Sequence, residues 1–228
     1  MFIKRDYSFI FVNGINNTED DSINTKRTLE TKSGIRGDYV WNNADMLSVI
    51  AHPNCNAQSW NIQGTVKILV KKLMDKISSG GHVCLIVHSH GAVVAAEALK
   101  KIDQRFREYI EYYGFGVINY IPKFHARKAI NIEGKTDWVS EFGKAARTFY
   151  KASIESNKES YDIEYVVNDP WDAHSFKTNY LDLAAKKIVI FQKNVIKINE
   201  AKERKFIAYV FTTAIVVIFA ASLLQKYF

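Results

Sequence analysis

His82-Val83-Cys84-Leu85-Ile86-Val87-His88-Ser89-His90-Gly91-Ala92-Val93-Val94-Ala95-Ala96-Glu97-Ala98-Leu99 passes from an apolar run through His-Ser-His-Gly into an alanine-rich segment. The run begins after Gly80-Gly81 and has the length and apolarity of a strand covered on both faces. The alanine-rich part is strongly helix-forming. Only the residues around Ser89 separate the two, so the chain must turn sharply there. A serine on such a turn is held in a strained backbone conformation, with its hydroxyl raised over the end of the sheet. Strand and helix nearly touch at the turn, which demands small neighbours. Gly91 and Ala92 meet that demand, whereas Val87 stands where the common G-x-S-x-G pattern has glycine. The same stretch also suits a plain buried strand whose following helix is capped by a serine.

Upstream, Tyr7-Ser8-Phe9-Ile10-Phe11-Val12 reads as a strand, Glu19 to Ser33 as a polar outer helix and Gly37 to Asn42 as a second strand. Asn43 to Ser59 is irregular. From Trp60 to Ile77 the apolar residues Ile62, Val66, Ile68, Leu69, Leu73, Met74 and Ile77 recur at helical spacing, with Lys67, Lys71, Lys72 and Lys76 on the other side. Downstream, the spacing predicts a helix over Ala92–Ile102 and a strand at Ala129–Glu133; between them Phe106 to Tyr113 suits either a helix or a strand, with Tyr109–Tyr113 one candidate for the next strand, and Gly114-Phe115-Gly116 reads as a break. A helix over Ser140–Ala152 and a strand over Tyr161–Val167 near the sheet edge follow. Alternating strands and helices with right-handed crossovers imply an α/β fold. The expectation is a mainly parallel central sheet with helices on both faces, compact and without a large cap domain.

Three loops then carry candidate chemistry, each just beyond a predicted strand. Ser89 is the candidate nucleophile. Asp137 follows the Gly134-Lys135-Thr136 turn, where open α/β sheets place their ligands, although it equally suits the cap of the next helix. His174 is the one histidine of the polar loop Asn168 to Phe176. The order Ser, Asp, His is that of α/β-hydrolases. In such a trio the histidine takes the serine proton and the carboxylate holds the imidazole in the right tautomer. The oxyanion needs donors, for which the backbone N–H groups of His90 and of Ile15, beyond Asn13-Gly14, are the candidates. Asn13, Gly14, His88 and Phe115 are expected to contact substrate; the aromatic segment Val117–Phe124 suits either the lining of an acyl pocket or, as is more common for such residues, ordinary packing.

On these residues the chain resembles an α/β-hydrolase of the lipase/esterase type over roughly residues 5 to 185. Val87-His88-Ser89-His90-Gly91 resembles the family's nucleophile elbow, and Phe11-Val12-Asn13-Gly14 its oxyanion strand and loop, with Asn13 for histidine. Gly134 to Val139 is similar to the acid loop, and Asp172-Ala173-His174-Ser175 to the late histidine loop. The resemblance implies hydrolysis of an ester or thioester through an acyl-enzyme, without a cofactor. The competing expectation is an inactive, hydrolase-like domain that serves as a membrane-tethered interaction or membrane-perturbing protein.

With 228 residues, 47% of them hydrophobic and 13% aromatic, the chain has material for one domain plus an appendage. The formal charge is +7 and the pI about 9.2. Much of this excess lies between Lys186 and Lys205, directly before an apolar stretch, and no nucleic-acid-binding signature accompanies it. No nucleic-acid partner is expected. Cys55 and Cys84 make no disulfide framework, and the histidine spacing predicts no metal site. The apolar Tyr7–Val12 run is too short for an export signal.

Phe206 to Leu224 carries no charge, and its roughly 19 residues at 1.5 Å each approach the hydrocarbon thickness of a bilayer. Lys197, Lys202, Arg204 and Lys205 precede it and only Lys226 follows. Three parts are expected: a catalytic domain over 1–185, a basic amphipathic juxtamembrane helix over 186–205, and a C-terminal transmembrane helix over 206–224. The charge bias predicts a single-pass, tail-anchored protein with a cytoplasmic catalytic domain. Membrane lipids or acylated molecules become the expected substrates.

Overall fold

In the structure, a computed structural model, the described residues are 6–44, 62–135, 161–166 and 174–227, with side chains up to residue 214 in the last helix. The chain divides into two units, Met1–Phe191 and Gln192–Phe228.

The first unit is built on six strands: β1 (Tyr7–Val12), β2 (Gly37–Val40), β3 (His82–His88), β4 (Ile110–Phe115), β5 (Lys128–Gly134) and β6 (Asp162–Val166). All neighbours pair in parallel, in the order β2-β1-β3-β4-β5-β6. Among the described residues the helices are α1 (Glu19–Ser33), α2 (Gln63–Ser78), α3 (Gly91–Lys101), the short α4 (Gln104–Arg107) and α5 (Leu181–Tyr227). A parallel sheet must be covered on both faces. Ile10, Val12, Val83, Leu85, Val87, Ile110 and Tyr112 form one buried cluster with Val66, Leu69, Leu73 and Ile77 of α2 and the alanine-rich face of α3. The alternate strand residues face the other way, where Phe11 and Phe115 meet Phe176, and Phe115 also meets Tyr180. Ion pairs from Lys177 to Asp21 and from Lys32 to Asp182 tie this covering segment to α1.

Periodicity locates most of these elements within one or two residues, and one break is misplaced. Gly114-Phe115 does not end the fourth strand: β4 continues through Phe115, which pairs with His88 and Ile132. Gly114 is a strand residue because the ring of Tyr112, two positions back on the same face, occupies the space a Cβ would need. Charge is also buried on this strand. Glu111, 3% exposed, pairs with Arg127 at 2.5 Å and accepts a hydrogen bond from the Tyr113 hydroxyl at 2.8 Å.

α5 runs from Leu181 to Tyr227, so the expected segments 186–205 and 206–224 are both helical. Ala184, Ala185, Ile188 and Phe191 are buried, whereas Phe206, Ile207, Tyr209, Val210 and Phe211 are exposed. Among the described residues no helix is long and apolar enough to cross a membrane. The expected span 206–224 extends beyond residue 214, and that remainder lies outside the described side chains. The expected irregular segment after Ala44 and the helix over Ser140–Ala152 also lie outside the described residues.

Candidate active site

The strand order reverses between β1 and β3, neighbours whose following helices leave toward opposite faces of the sheet. A crevice opens at the carboxyl ends of strands at such a switch point. The loops that emerge there are Asn13-Gly14-Ile15 from β1 and Ser89-His90 from β3.

Ser89 has φ 52°, a left-handed conformation that a residue with a Cβ adopts at a cost of order 1–3 kcal/mol. The surroundings hold it there. Its N–H donates to Phe115 O at 3.0 Å, and its carbonyl accepts from Ala92 N at 3.1 Å as α3 begins. Val87, the oversized neighbour, is fully buried in the same cluster as Ala92 and Val12, and the turn still forms. The close approaches fall elsewhere. A Cβ on Gly91 would stand 2.7 Å from Asn13 O and 2.9 Å from Val12 O, and one on Gly14 would stand 2.9 Å from Ser89 Cβ. Helix α3 therefore starts against the end of β1, and the β1 loop lies against the serine.

His174, which follows β6 in sequence, reaches the same point: its Nε2 lies 2.8 Å from Ser89 Oγ. His88, Phe176 and Lys177 help to hold the chain around it. The His88 ring sits 4.8 Å from the His174 ring, and His88 Nε2 lies 2.9 Å from the His174 carbonyl. Because a carbonyl only accepts, that nitrogen must donate. Phe176 packs among Phe11, His88 and Phe115, and Lys177 is anchored on Asp21.

Ser89 and His174 are thus brought together with Gly14, while the remaining expected residues divide. Asp137 lies outside the described residues; the loop leading to it is fixed where Gly134 N–H donates to the Tyr180 hydroxyl at 3.1 Å and Lys135 N–H to Val166 O at 2.9 Å. The backbones of His90 and Ile15 flank Ser89 and Gly14, respectively. Asn13, His88 and Phe115, expected to contact substrate, have their side chains committed to the protein. Phe115 is fully buried against Phe176 and Tyr180, His88 is engaged by the His174 carbonyl, and Asn13 is 1% exposed. From the candidate acyl-lining segment, Val117 and Ile121 are fully buried and Phe124 is exposed.

Asn42 is a residue that sequence reasoning passed over. Its N–H donates to Asn13 Oδ1 at 2.7 Å, its carbonyl accepts from Asn13 Nδ2 at 3.0 Å, and its own Nδ2 lies 3.0 Å from His90 Nδ1. Burial holds the His90 imidazole down to about 3, so it is neutral near pH 7. The available signal was a polar residue at the end of β2, the strand next to β1 at the switch point.

No family model matches the chain, and no curated protein matches it either. Among solved structures it is similar to a Xanthomonas campestris pv. campestris protein ascribed to the hydrolases of the α/β superfamily, at 13% identity and a TM-score of 0.44, over 82% of this chain and 97% of that one. It is also similar to a cutinase-like protein from Cryptococcus sp., at 14% identity and a TM-score of 0.41, over 81% of this chain and 89% of the other.

Proposed function

We propose that the chain is a serine hydrolase of the α/β-hydrolase type that cleaves a carboxylic ester through an acyl-enzyme. The observation that carries this reading is the 2.8 Å contact between His174 Nε2 and the Oγ of a serine held at φ 52°. A serine hydroxyl is a weak nucleophile unless a base accepts its proton in the attack. With its proton on Nδ1, His174 takes the Ser89 proton on Nε2 as Oγ bonds to the ester carbonyl carbon. It returns that proton to the departing alkoxide, and water then releases the acid by the same route. Asp137 is assigned the role of holding the imidazolium, and the N–H groups of His90 and Ile15 that of stabilising the oxyanion.

The tail supports one substrate class. The exposed Phe206, Ile207, Tyr209, Val210 and Phe211, behind a basic helical segment, support a tether at an anionic membrane surface with the catalytic unit on the cytoplasmic side. Lipid or acyl esters are then the substrates met at the highest local concentration.

A fluorophosphonate probe tests the chemistry: labelling of Ser89 that disappears in Ser89→Ala and His174→Ala is expected, and a parent chain left unlabelled refutes the hydrolase. Phospholipid, lysolipid and short p-nitrophenyl esters then rank the substrates. Flotation of the full chain with vesicles of phosphatidylcholine and phosphatidylserine tests the tether, because a chain that stays in the vesicle-free fraction overturns it.

A further inference from the structure

The strand ends at β1, β2 and β3 are joined by side chains rather than by backbone alone. Asn13 Nδ2 donates to the carbonyl of Gly14 at 2.6 Å and to that of Asn42 at 3.0 Å, while Asn13 Oδ1 accepts from Asn42 N–H at 2.7 Å. Asn42 Nδ2 faces Asn13 O at 3.5 Å and His90 Nδ1 at 3.0 Å. An amide nitrogen only donates, so in this arrangement His90 Nδ1 accepts, as it does in the Nε2–H tautomer. The neutral state imposed by burial is consistent with this tautomer. A single chain of polar contacts therefore runs from the His90 ring through Asn42 and Asn13 to the Gly14 carbonyl. Asn13, Asn42 and His90 are all buried, where each lost partner costs more than it would in water.

A peptide unit is planar, and in its trans form the C=O and the following N–H point in opposite directions. Fixing the Gly14 carbonyl on Asn13 therefore fixes the Ile15 N–H in the opposite direction, away from the Asn13 amide. The next carbonyl is pinned as well, because Asn17 Nδ2 donates to Ile15 O at 2.8 Å. The loop is further clasped from the β2 side by Asn16 N–H on Ala44 O at 3.2 Å and by Trp41 Nε1 on Asn17 O at 2.8 Å. Gly14 abuts Ser89, so the orientation of this one peptide decides whether the site next to Oγ meets a donor or an acceptor.

We infer that Asn13 is a positioning residue for the hydrolysis: its amide latches the Gly14 carbonyl so that the Ile15 N–H is preset as an oxyanion donor, with Asn42 and the His90 ring holding the latch. The inference rests on the serine-hydrolase reading. It adds that both oxyanion donors belong to one polar chain, since His90 supplies a backbone donor and its own ring supports the path to the other. The latch acts where charge develops in the transition state and not on the ground-state ester, so its loss falls on kcat and leaves KM in place.

The test uses the full chain with p-nitrophenyl butyrate and a fluorophosphonate probe. Asn13→Asp keeps the shape and the acceptor for Asn42 N–H but loses the donor to Gly14 O. Asn13→Ala removes the amide without adding charge. Each is expected to lower kcat by roughly 10- to 100-fold, to slow labelling of Ser89 in parallel, and to leave KM within about 2-fold. Asn42→Ala, one link further out, is expected to lose less. A folded variant with unchanged kcat, or one whose loss lies in KM, overturns the latch. If neither Asn13 variant folds, the network is structural and the latch is likewise overturned. A parent chain that fails to label at Ser89 refutes the hydrolase reading instead, so the two failures are distinguishable.

Discussion

Replacing Gly14 with alanine adds one methyl group at the closest contact between the β1 loop and the nucleophile. The φ of Gly14 is not positive, so alanine fits its backbone and the whole cost lies in contact. The new Cβ would stand 2.9 Å from Ser89 Cβ, 3.1 Å from His88 Nδ1 and 3.4 Å from Ser89 Oγ. Carbon atoms rest at roughly 3.5–4.0 Å, so either the loop or the serine must retreat by about 0.6–1 Å. The serine is held by its bonds to Phe115 O and from Ala92 N, and the loop by Asn13. Neither has a soft direction. A displacement of that size at the reacting atoms costs about 10²-fold in rate, or about 2.7 kcal/mol of barrier, while overpacking removes about 1–3 kcal/mol of stability. The assay is kcat/KM on p-nitrophenyl butyrate, with urea unfolding measured on the same preparation. A folded Gly14→Ala chain that turns over within about 3-fold of the parent would refute the contact argument.

Three further outcomes are expected. Glu111→Ala leaves Arg127 and the Tyr113 hydroxyl without their buried acceptor, and urea unfolding should register a loss of about 3–5 kcal/mol. His90 titrates at about 3 in the folded chain against 6.5 when exposed, because burial disfavours its cation. The unfolded state then binds the extra proton, so this contribution is fully present above pH 6.5 and is lost as pH falls toward 3. Unfolding free energies at pH 7 and pH 5 should differ less in His90→Gln, by up to about 1.4 kcal/mol for each pH unit inside that window. Thr18 caps α1 by accepting from Asp21 N–H at 3.1 Å. Thr18→Ala should lower stability by about 1 kcal/mol, measured by thermal unfolding.

The sheet was legible because a parallel strand is apolar on both faces, and the runs at Tyr7–Val12 and His82–His88 carry that signal without help from distant residues. Ser89 and His174 were legible for a related reason: each follows a strand, and strand ends on one side of a parallel sheet converge. Gly114 was misread as a break because only the folded Tyr112 ring reveals why a glycine belongs inside that strand. The commitments of Asn13, His88 and Phe115 were hidden similarly. A polar or aromatic residue beside a site has the same letters whether it faces substrate or its neighbours, and Asn42 earns its place only through contacts 29 and 48 residues away. The doubt raised by Val87 dissolves once Gly14 and Gly91 are seen to provide the close approaches.

The two members of the Ser89–His174 pair are mounted on foundations of unequal depth. Ser89 rises from β3, which is flanked by β1 and β4 and buried along its whole length. The chain reaches His174 only after β6, an edge strand whose residues are exposed or half-exposed. Amide hydrogens in the first belong to the class that exchanges through global unfolding, and those in the second to the class released by local opening. On the proposed reading, the pair is then only as durable as the contacts of Phe176 and Lys177 that hold His174 against the sheet, and catalytic capacity should fade when those contacts open, before β3 does.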